Sequence, residues 1–157
     1  MTIQRTTATE TIDVQSQSPT LALSLSRVGV NSVEKVIRLG QNGTEQLFSA
    51  RFECAIELGS NQKGAHMSRF EEVVNEAIGQ VVLGEQTFRA ETLAEHIAQL
   101  VRARQGARRA EVTVEARFPE HKPAPVSGIQ TQELYTLHGS ALASLRRVSA
   151  CSLDRRA

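Results

Sequence analysis

The sequence predicts an α+β domain in which a four-stranded antiparallel sheet carries two helices on one face. Two pairs of segments alternate apolar and polar residues, as half-buried strands do, and two segments between the pairs repeat their apolar residues every three or four positions, as amphipathic helices do. Because the strands come as two hairpins and do not alternate singly with helices, the order ββααββ favours antiparallel pairing. The 157 residues, 40% of them hydrophobic, suit one domain.

The N-terminal residues are predicted to stay outside this domain. Residues 1–20 contain six threonines and no aromatic residue, so they cannot bury enough apolar area to offset the entropy of ordering. We interpret them as a flexible arm, followed by a single domain over residues 21–148. From Leu21 a short alternating segment, expected at an edge of the sheet, leads to Arg27-Val28-Gly29-Val30.

The first hairpin is predicted from residues 35–39 and from a long alternating run between Glu45 and Leu58. The Asn42-Gly43 pair between them supplies the positive backbone angles of a tight turn. One face of the second strand is apolar and should point into the core; its residues are Phe48, Ala50, Phe52, Cys54, Ile56 and Leu58.

Two consecutive helices follow. The first should begin near Ser68, which forms a capping-box spacing with Glu71, and the second should begin at a similar spacing of Thr92 and Glu95 and stop at Gly106. Their apolar stripes comprise Phe70, Val73, Val74, Ala77, Ile78 and Val81, and Leu93, Ile97, Leu100 and Val101.

The second hairpin is predicted from the alternating run 110–118, a proline-containing loop over 120–128 and a last long strand over 132–148. Residues 149–157 are interpreted as a polar tail. The expected core of the sheet and helices contains Phe52, Ile56, Val112, Val114, Phe70, Val74, Ile97 and Leu100.

Composition narrows the classes of function. The 18 lysines and arginines against 17 acidic residues give a net charge of +1, which disfavours a general nucleic-acid binder. Two cysteines and an N-terminus without a secretory signal favour the reducing cytoplasm. No apolar run approaches the roughly 20 residues that cross a bilayer, so we expect a soluble protein with no membrane partner.

One segment carries a family resemblance. Lys63-Gly64-Ala65-His66-Met67-Ser68-Arg69 resembles the Lys-Gly-x-His-Met-Ser-Arg signature of type IB GTP cyclohydrolases, the folate-type and archaeal MptA-like enzymes. Three further segments occur in the order and at the approximate spacing of that family: Asp13-Val14-Gln15, Arg27-Val28-Gly29-Val30 and Pro125-Val126-Ser127-Gly128. The family belongs to the tunnelling-fold group, whose unit is the ββααββ arrangement predicted above.

The resemblance implies that GTP is the substrate and that its imidazole ring is opened with formate release to give a dihydroneopterin phosphate, the first step of folate and pterin biosynthesis. The implied substrate-binding candidates are Lys63, His66, Ser68 and Arg69. Lysine and arginine both suit phosphate, and a histidine before a helix start can meet an anion. The alternatives are solvated surface charge for Lys63 and Arg69 and a loop histidine bonded to backbone for His66.

The resemblance covers only the first of the family's two tandem units. The family's Cys-Pro-Cys and His-Asn-Gln-Arg segments, which contribute to its metal site and purine anchor, do not occur in this sequence. A divalent cation such as zinc, manganese or iron is therefore implied without its ligands, and Cys54 and His66 are weak candidates, Cys54 being favoured as a core residue. We expect this chain alone to be inactive; a genuine C-terminus, a split gene and a truncated reading frame would all give such a sequence.

Two classes of function stay open at this point. The first is a GTP cyclohydrolase or one part of it, working as a homo-oligomer or with a complementary second tunnelling-fold unit. The second is a non-catalytic structural or regulatory subunit that assembles through the open edges of its sheet. Other charged groups favour ordinary surface roles: Glu111 and Glu115 as one solvated strand face, and the arginines near residues 102–109 as partners of a helix C-terminus.

Overall fold

The computed structural model describes residues 14–41, 44–84, 88–145 and 148–152. They form one antiparallel sheet whose strands lie side by side in chain order, with two helices between the second and third strands in sequence. The elements are β1 (Leu25–Gln41), β2 (Thr44–Leu58), α1 (Met67–Gly84), α2 (Ala90–Gln105), β3 (Arg109–Pro123), β4 (Gln130–Ser144) and β5 (Val148–Ser152). The α+β class and the ββααββ order are confirmed, and a short fifth strand extends the sheet beyond β4.

The first strand is longer than the sequence pattern predicted. The edge segment after Leu21 and the strand predicted at 35–39 belong to one strand, β1, which pairs with β2 at the edge of the sheet. Its pairing shifts between Leu25 and Val28 and again between Val30 and Val33, and Ser32 has a positive φ of 56°. Such bulges bend a strand and interrupt the alternation of apolar and polar residues. This explains why two separate segments were predicted from the sequence of β1. The predicted Asn42-Gly43 turn lies outside the described residues.

The core lies between the sheet and the helices. The apolar face predicted for β2 is buried there, and Phe52, Val112 and Val114 are each 0% exposed. The predicted core is confirmed for Phe52, Ile56, Val112, Val114, Phe70, Val74 and Ile97, while Leu100 is half-buried and packs against this cluster. Burial of this one face of the sheet accounts for the period of two in β2 and β3.

The helices start earlier than their predicted capping boxes. Helix α1 begins at Met67, so Ser68 lies in its first turn. Helix α2 begins at Ala90 after Arg89, which makes no side-chain capping bond, so the box predicted at Thr92 is wrong. Ala90 is 1% exposed, and packing of this extra turn favours the earlier start. The predicted stop at Gly106 is confirmed: Gly106 has φ 62°, and the amides of Gly106 and Ala107 donate to the last carbonyls of α2.

The chain after β3 departs from the predicted single last strand. β4 ends at Ser144, and β5 pairs back onto it from Val148 to Ser152, so residues 149–152 of the predicted tail are part of the sheet. Residues 153–157 of that tail and residues 1–13 of the predicted arm lie outside the described part of the chain. None of the helices in the described residues is long and apolar enough to cross a membrane.

The two hairpins, β1–β2 and β3–β4, separate at one end of the sheet, where β2 and β3 are no longer paired. Pairing between β2 and β3 runs from Ile56 and Ala110 to Ser49 and Arg117, and each hairpin continues beyond that last pair on its own. Phe48 contacts the rings of Phe88 and Phe118 there, at centroid distances of 4.8 and 4.9 Å. This aromatic cluster closes the core at the end where α2 begins, and the opposite end holds the candidate site.

Candidate functional site

The segment with the family signature forms the connection from β2 to α1. The loop, residues 59–66, starts with a turn in which the Gln62 amide donates to the Gly59 carbonyl at 3.1 Å. At its other end the His66 carbonyl accepts from the Arg69 amide at 3.2 Å, which is a first-turn bond of α1. His66 therefore occupies the position just before the helix, where main-chain amides have no partner within the helix.

A buried glutamine fixes the main chain of His66. Gln105, the last residue of α2, is 7% exposed. Its side-chain Oε1 accepts from the His66 amide at 3.2 Å, and its Nε2 donates to the His66 carbonyl at 2.8 Å. The Gln105 carbonyl in turn accepts from Gln62 Nε2 at 3.3 Å. Residue 105 thus bonds both ends of the Lys63-Gly64-Ala65 segment to the end of α2.

The segment before β1 lies against the same loop. Lys63 Nζ is 3.5 Å from Gln17 Oε1. A Cβ built at Gly64 would overlap the side-chain oxygen of Gln15, so this glutamine occupies the space that a side chain at position 64 would need. Two of the four family-like segments, the one ending in Gln15 and the one containing Gly64, therefore meet in space; Asp13 of the first lies outside the described residues.

The four predicted substrate-binding residues differ in their surroundings. Lys63 and Ser68 are exposed, and His66 and Arg69 are half-buried. Arg69 Nη1 donates to the Arg104 carbonyl at 3.5 Å, and Arg104 forms an ion pair with Glu76 of α1. Arg69 therefore interacts with the C-terminal turn of α2, whereas the ammonium of Lys63 stands at the surface, where it can bind an anionic ligand.

A third family-like segment lies far from this loop. Pro125-Val126-Ser127-Gly128 forms the turn between β3 and β4, where the Gly128 amide donates to the Ala124 carbonyl at 2.9 Å. Because β3 begins next to α2 and ends at this turn, the two segments are separated by the whole length of β3. Within one copy of the chain they do not form one site.

The remaining segment, Arg27-Val28-Gly29-Val30, borders an open groove of about 380 Å³ on the side of β1 and β2. Gly29 approaches the Cys54 carbonyl so closely that a Cβ at position 29 would overlap it. Polar side chains of Arg27, Asn31 and Glu53 line the groove, and Arg27 also forms an ion pair with Glu111 at 3.4 Å. The Glu111 side chain is 41% exposed, which agrees with the predicted solvated strand face.

The predicted metal donors do not fit a metal centre. Cys54 is 1% exposed within the apolar core, and burial raises the pKa of its thiol to about 12, so its surroundings are those of a core thiol and not of a metal ligand. Its interpretation as a core residue is confirmed. No three His, Cys, Asp or Glu side chains within the described residues are grouped so that they could hold a metal ion.

Sequence reasoning missed Gln105, Gln17 and Gln62, and it noted Gln15 only as part of a family-like segment. A signal existed, since Leu93, Ile97, Val101 and Gln105 follow each other at intervals of four along α2. A polar residue that continues an apolar stripe is expected to be buried and hydrogen-bonded. Gln17 and Gln62 carried no comparable signal, because isolated glutamines outside helices and strands are ordinary surface residues.

Comparison with known proteins places these features in one family. Residues 11–153 match the family model described as type I GTP cyclohydrolase folE2. The chain is 35% identical over 134 residues to the GTP cyclohydrolase MptA of Haloarcula marismortui, covering 84% of this chain and 43% of that protein. It is 36% identical over 131 residues to the GTP cyclohydrolase MptA of Methanocaldococcus jannaschii, covering 82% and 42%.

The similarity concerns one part of these relatives. The match to the GTP cyclohydrolase MptA of Methanobrevibacter smithii, 30% identical over 132 residues, again covers 83% of this chain and 42% of that protein. The chain thus spans about two fifths of the length of the curated relatives it matches. With a family model that matches nearly all of its residues, the chain belongs to the type I GTP cyclohydrolase folE2 family.

Proposed function

We propose that this chain binds GTP through the loop 59–66 and the start of α1 and contributes this binding to a GTP cyclohydrolase reaction. The reaction would open the guanine imidazole ring by hydrolysis, release formate and form a dihydroneopterin phosphate in the cytoplasm. The observation that carries the proposal is the family-like segment 63–69, which lies at a helix start with its lysine exposed and its histidine main chain fixed.

The residues of the loop suit different parts of a nucleoside triphosphate. Lys63 offers an exposed point charge, and the positive end of the α1 dipole favours a negative group in front of the helix. Ser68 is exposed in the first turn and can donate its hydroxyl to a phosphate oxygen. His66 supplies an imidazole on a fixed backbone, and Arg69 adds positive charge while its guanidinium bonds to α2.

Metal chemistry is not assigned to these residues. The family's reaction is generally metal-dependent, and a bound divalent cation would supply an activated water. Because Cys54 is buried in the apolar core, Cys54 and His66, the donor pair predicted from the sequence, do not supply such a centre. We therefore assign substrate binding to segment 63–69 and propose that the chain works with a further tunnelling-fold unit or with other copies of itself.

The test is GTP-dependent stabilisation of the purified chain. A ligand at one hundred times its Kd stabilises the folded state by about 2.7 kcal/mol, so binding is visible as a rise in the thermal midpoint. His66→Ala should leave the circular dichroism spectrum and the unfolding free energy nearly unchanged and weaken this rise. His121→Ala is the matched control, because His121 is exposed on β3 near the opposite end of the sheet.

The contrary result is a loss of stability above about 2 kcal/mol in His66→Ala with the GTP response intact, which would make His66 a structural loop residue. A second assay measures formate release from GTP with added zinc, manganese or iron and with a chelator. We expect no release by the 157-residue chain alone. Metal-dependent release above the level of a preparation from a host lacking the activity would contradict this expectation.

A non-catalytic subunit is the second candidate, and the sheet edges favour it. β1 and β5 each have one neighbouring strand in the sheet, so each leaves unpaired backbone groups on its outer side. Exposed apolar side chains of Leu25 and Val36 accompany the edge at β1. Assembly in solution together with no GTP response in any variant would support this role over nucleotide binding.

A further inference from the structure

We propose that Gln105 is the positioning residue of the candidate site: its side chain holds the His66 peptide, and its backbone holds Gln62, so that the Lys63-Gly64-Ala65 segment is presented to the nucleotide in one conformation. The proposal rests on the GTP-binding role given above and adds a residue, on another element, that does not itself touch the ligand.

The side-chain amide of Gln105 bonds to the main chain of His66 as a peptide group of a neighbouring strand would in a β-sheet. One side-chain amide makes two hydrogen bonds, 3.2 and 2.8 Å long, to the amide and the carbonyl of the same residue, His66. Glutamine is the residue suited to this task, because its side chain carries a donor and an acceptor at the same reach. Since Gln105 is 7% exposed, a displaced loop would leave a buried amide without partners, which is costly.

Gln105 is itself held in place by the end of α2. Gln105 ends α2, and the helix is closed there by the amides of Gly106 and Ala107, which donate to the carbonyls of Ala103 and Arg102. A residue placed on such a capped helix end moves little, whereas a loop of exposed residues without it would sample several conformations. Gln105 therefore transfers the rigidity of α2 to the loop.

Both ends of the lysine-bearing segment are tied to this one residue. Gln62, just before Lys63, donates to the Gln105 carbonyl at 3.3 Å, and His66, just after Ala65, bonds to its side chain. The His66 carbonyl also accepts the first-turn bond from Arg69, so the same contact sets the start of α1. Loss of Gln105 should thus loosen the lysine, the histidine and the helix start together.

The experiment compares Gln105→Met, which keeps the length and burial of the side chain, with Gln105→Glu, which keeps the acceptor for the His66 amide. Gln99→Met on the same helix is the control, because Gln99 is exposed and its side chain donates to Glu95 of α2 at 3.3 Å. Two quantities are measured at a temperature where every variant is folded: hydrogen exchange of the His66 amide, and the Kd for GTP by calorimetry.

In Gln105→Met we expect His66 exchange to be faster and GTP binding to be weaker, each by about tenfold, since two net hydrogen bonds are lost. Gln105→Glu should retain much of the amide protection with an intermediate Kd, and Gln99→Met should match the parent chain in both quantities. If Gln105→Met does not fold, Gln62→Met can be used in its place. It removes only the hydrogen bond from Gln62 to the Gln105 carbonyl and should weaken GTP binding about threefold.

The outcomes separate the two proposals. Wild-type binding of GTP together with an unchanged Kd in the Gln105 variants overturns the positioning role and leaves the proposed function standing. Unchanged exchange of the His66 amide in Gln105→Met shows that the contact does not hold the loop and also overturns it. Absence of GTP binding in the wild-type chain overturns the proposed function, and the positioning role for GTP falls with it.

Discussion

The two faces of the sheet are built from opposite kinds of residue. The face under α1 and α2 is apolar and closed to solvent, with Phe52, Val112 and Val114 fully buried. On the other face, charges alternate across three strands, because Glu34 lies opposite Arg51 and Arg51 lies opposite Glu115 as direct cross-strand neighbours. His138 follows Glu115 on the fourth strand. Stability should therefore depend on the covered face, and the open face should tolerate change. Each prediction below tests that difference.

The largest effect is expected from a charge on the covered face. Val112→Asp buries a carboxylate with no partner in the core, which should cost several kcal/mol of unfolding free energy or prevent folding. Chemical denaturation followed by circular dichroism measures it. The control is Ser49→Asp, which places the same group on the open face opposite Arg117 and should change stability by less than about 0.5 kcal/mol. Equal effects of both substitutions would contradict the assignment of the faces.

A methyl group on the covered face should also be costly where the backbones touch. A Cβ built at Gly139 of β4 would overlap backbone atoms of Ala90 and Glu91 at the start of α2, and neither backbone can rotate away as a side chain could. Gly139→Ala should therefore lower the unfolding free energy by about 1–3 kcal/mol.

The matched control for Gly139 lies on the outside of α1. Gly79 is exposed, and a Cβ there would meet nothing within 4 Å. Gly79→Ala should stabilise the protein by up to about 1 kcal/mol, because glycine is unfavourable inside a helix. Thermal unfolding of both variants should move the midpoint in opposite directions; a loss of stability in Gly79→Ala would show that its helix face is covered.

The buried thiol predicts a dependence on alkaline pH. Burial raises the pKa of Cys54 to about 12 from 9.0, so between these values the unfolded chain loses the thiol proton more readily than the folded one. The thiol's contribution is constant below about pH 9 and is lost at roughly 1.4 kcal/mol per pH unit above it. The stability difference between the wild type and Cys54→Ala should shrink accordingly from pH 8 to pH 10. A constant difference would place the thiol in contact with water.

The covered face is the part of the fold that the sequence predicts well. Alternation in β2 and β3 and the stripes of α1 and α2 report burial directly, because one side of each element faces the core. The sequence was less informative where burial is not the cause of structure. The bulges of β1 interrupt the alternation of its apolar and polar residues. β5 has five mostly small residues, and they form a strand through pairing with β4.

The candidate site shows the same division. The segment from Lys63 to Arg69 was identified by its resemblance to a family, because exposed polar residues carry no periodic signal of their own. Gln105 could have been found from its place on the stripe of α2, although the stripe does not tell which backbone it binds. The meeting of Gln15 with Gly64 depends on how the chain before β1 folds back, and this is a long-range contact that neither composition nor periodicity encodes.

The smallest effect is expected on the open face itself. Arg51 and Glu34 form an ion pair at 3.2 Å with side chains that are 50% and 66% exposed, so water and salt screen their attraction. A double-mutant cycle of Arg51→Met and Glu34→Gln should give a coupling below about 1 kcal/mol that decreases between 0.1 and 1 M salt, where the Debye length falls from about 10 to 3 Å. A coupling above about 2 kcal/mol that resists salt would show that the pair is shielded from water in solution. Because the described residues leave both side chains at least half exposed, that result would mean that something outside the described residues covers the pair. A coupling that rises with protein concentration would identify this cover as a second copy of the chain.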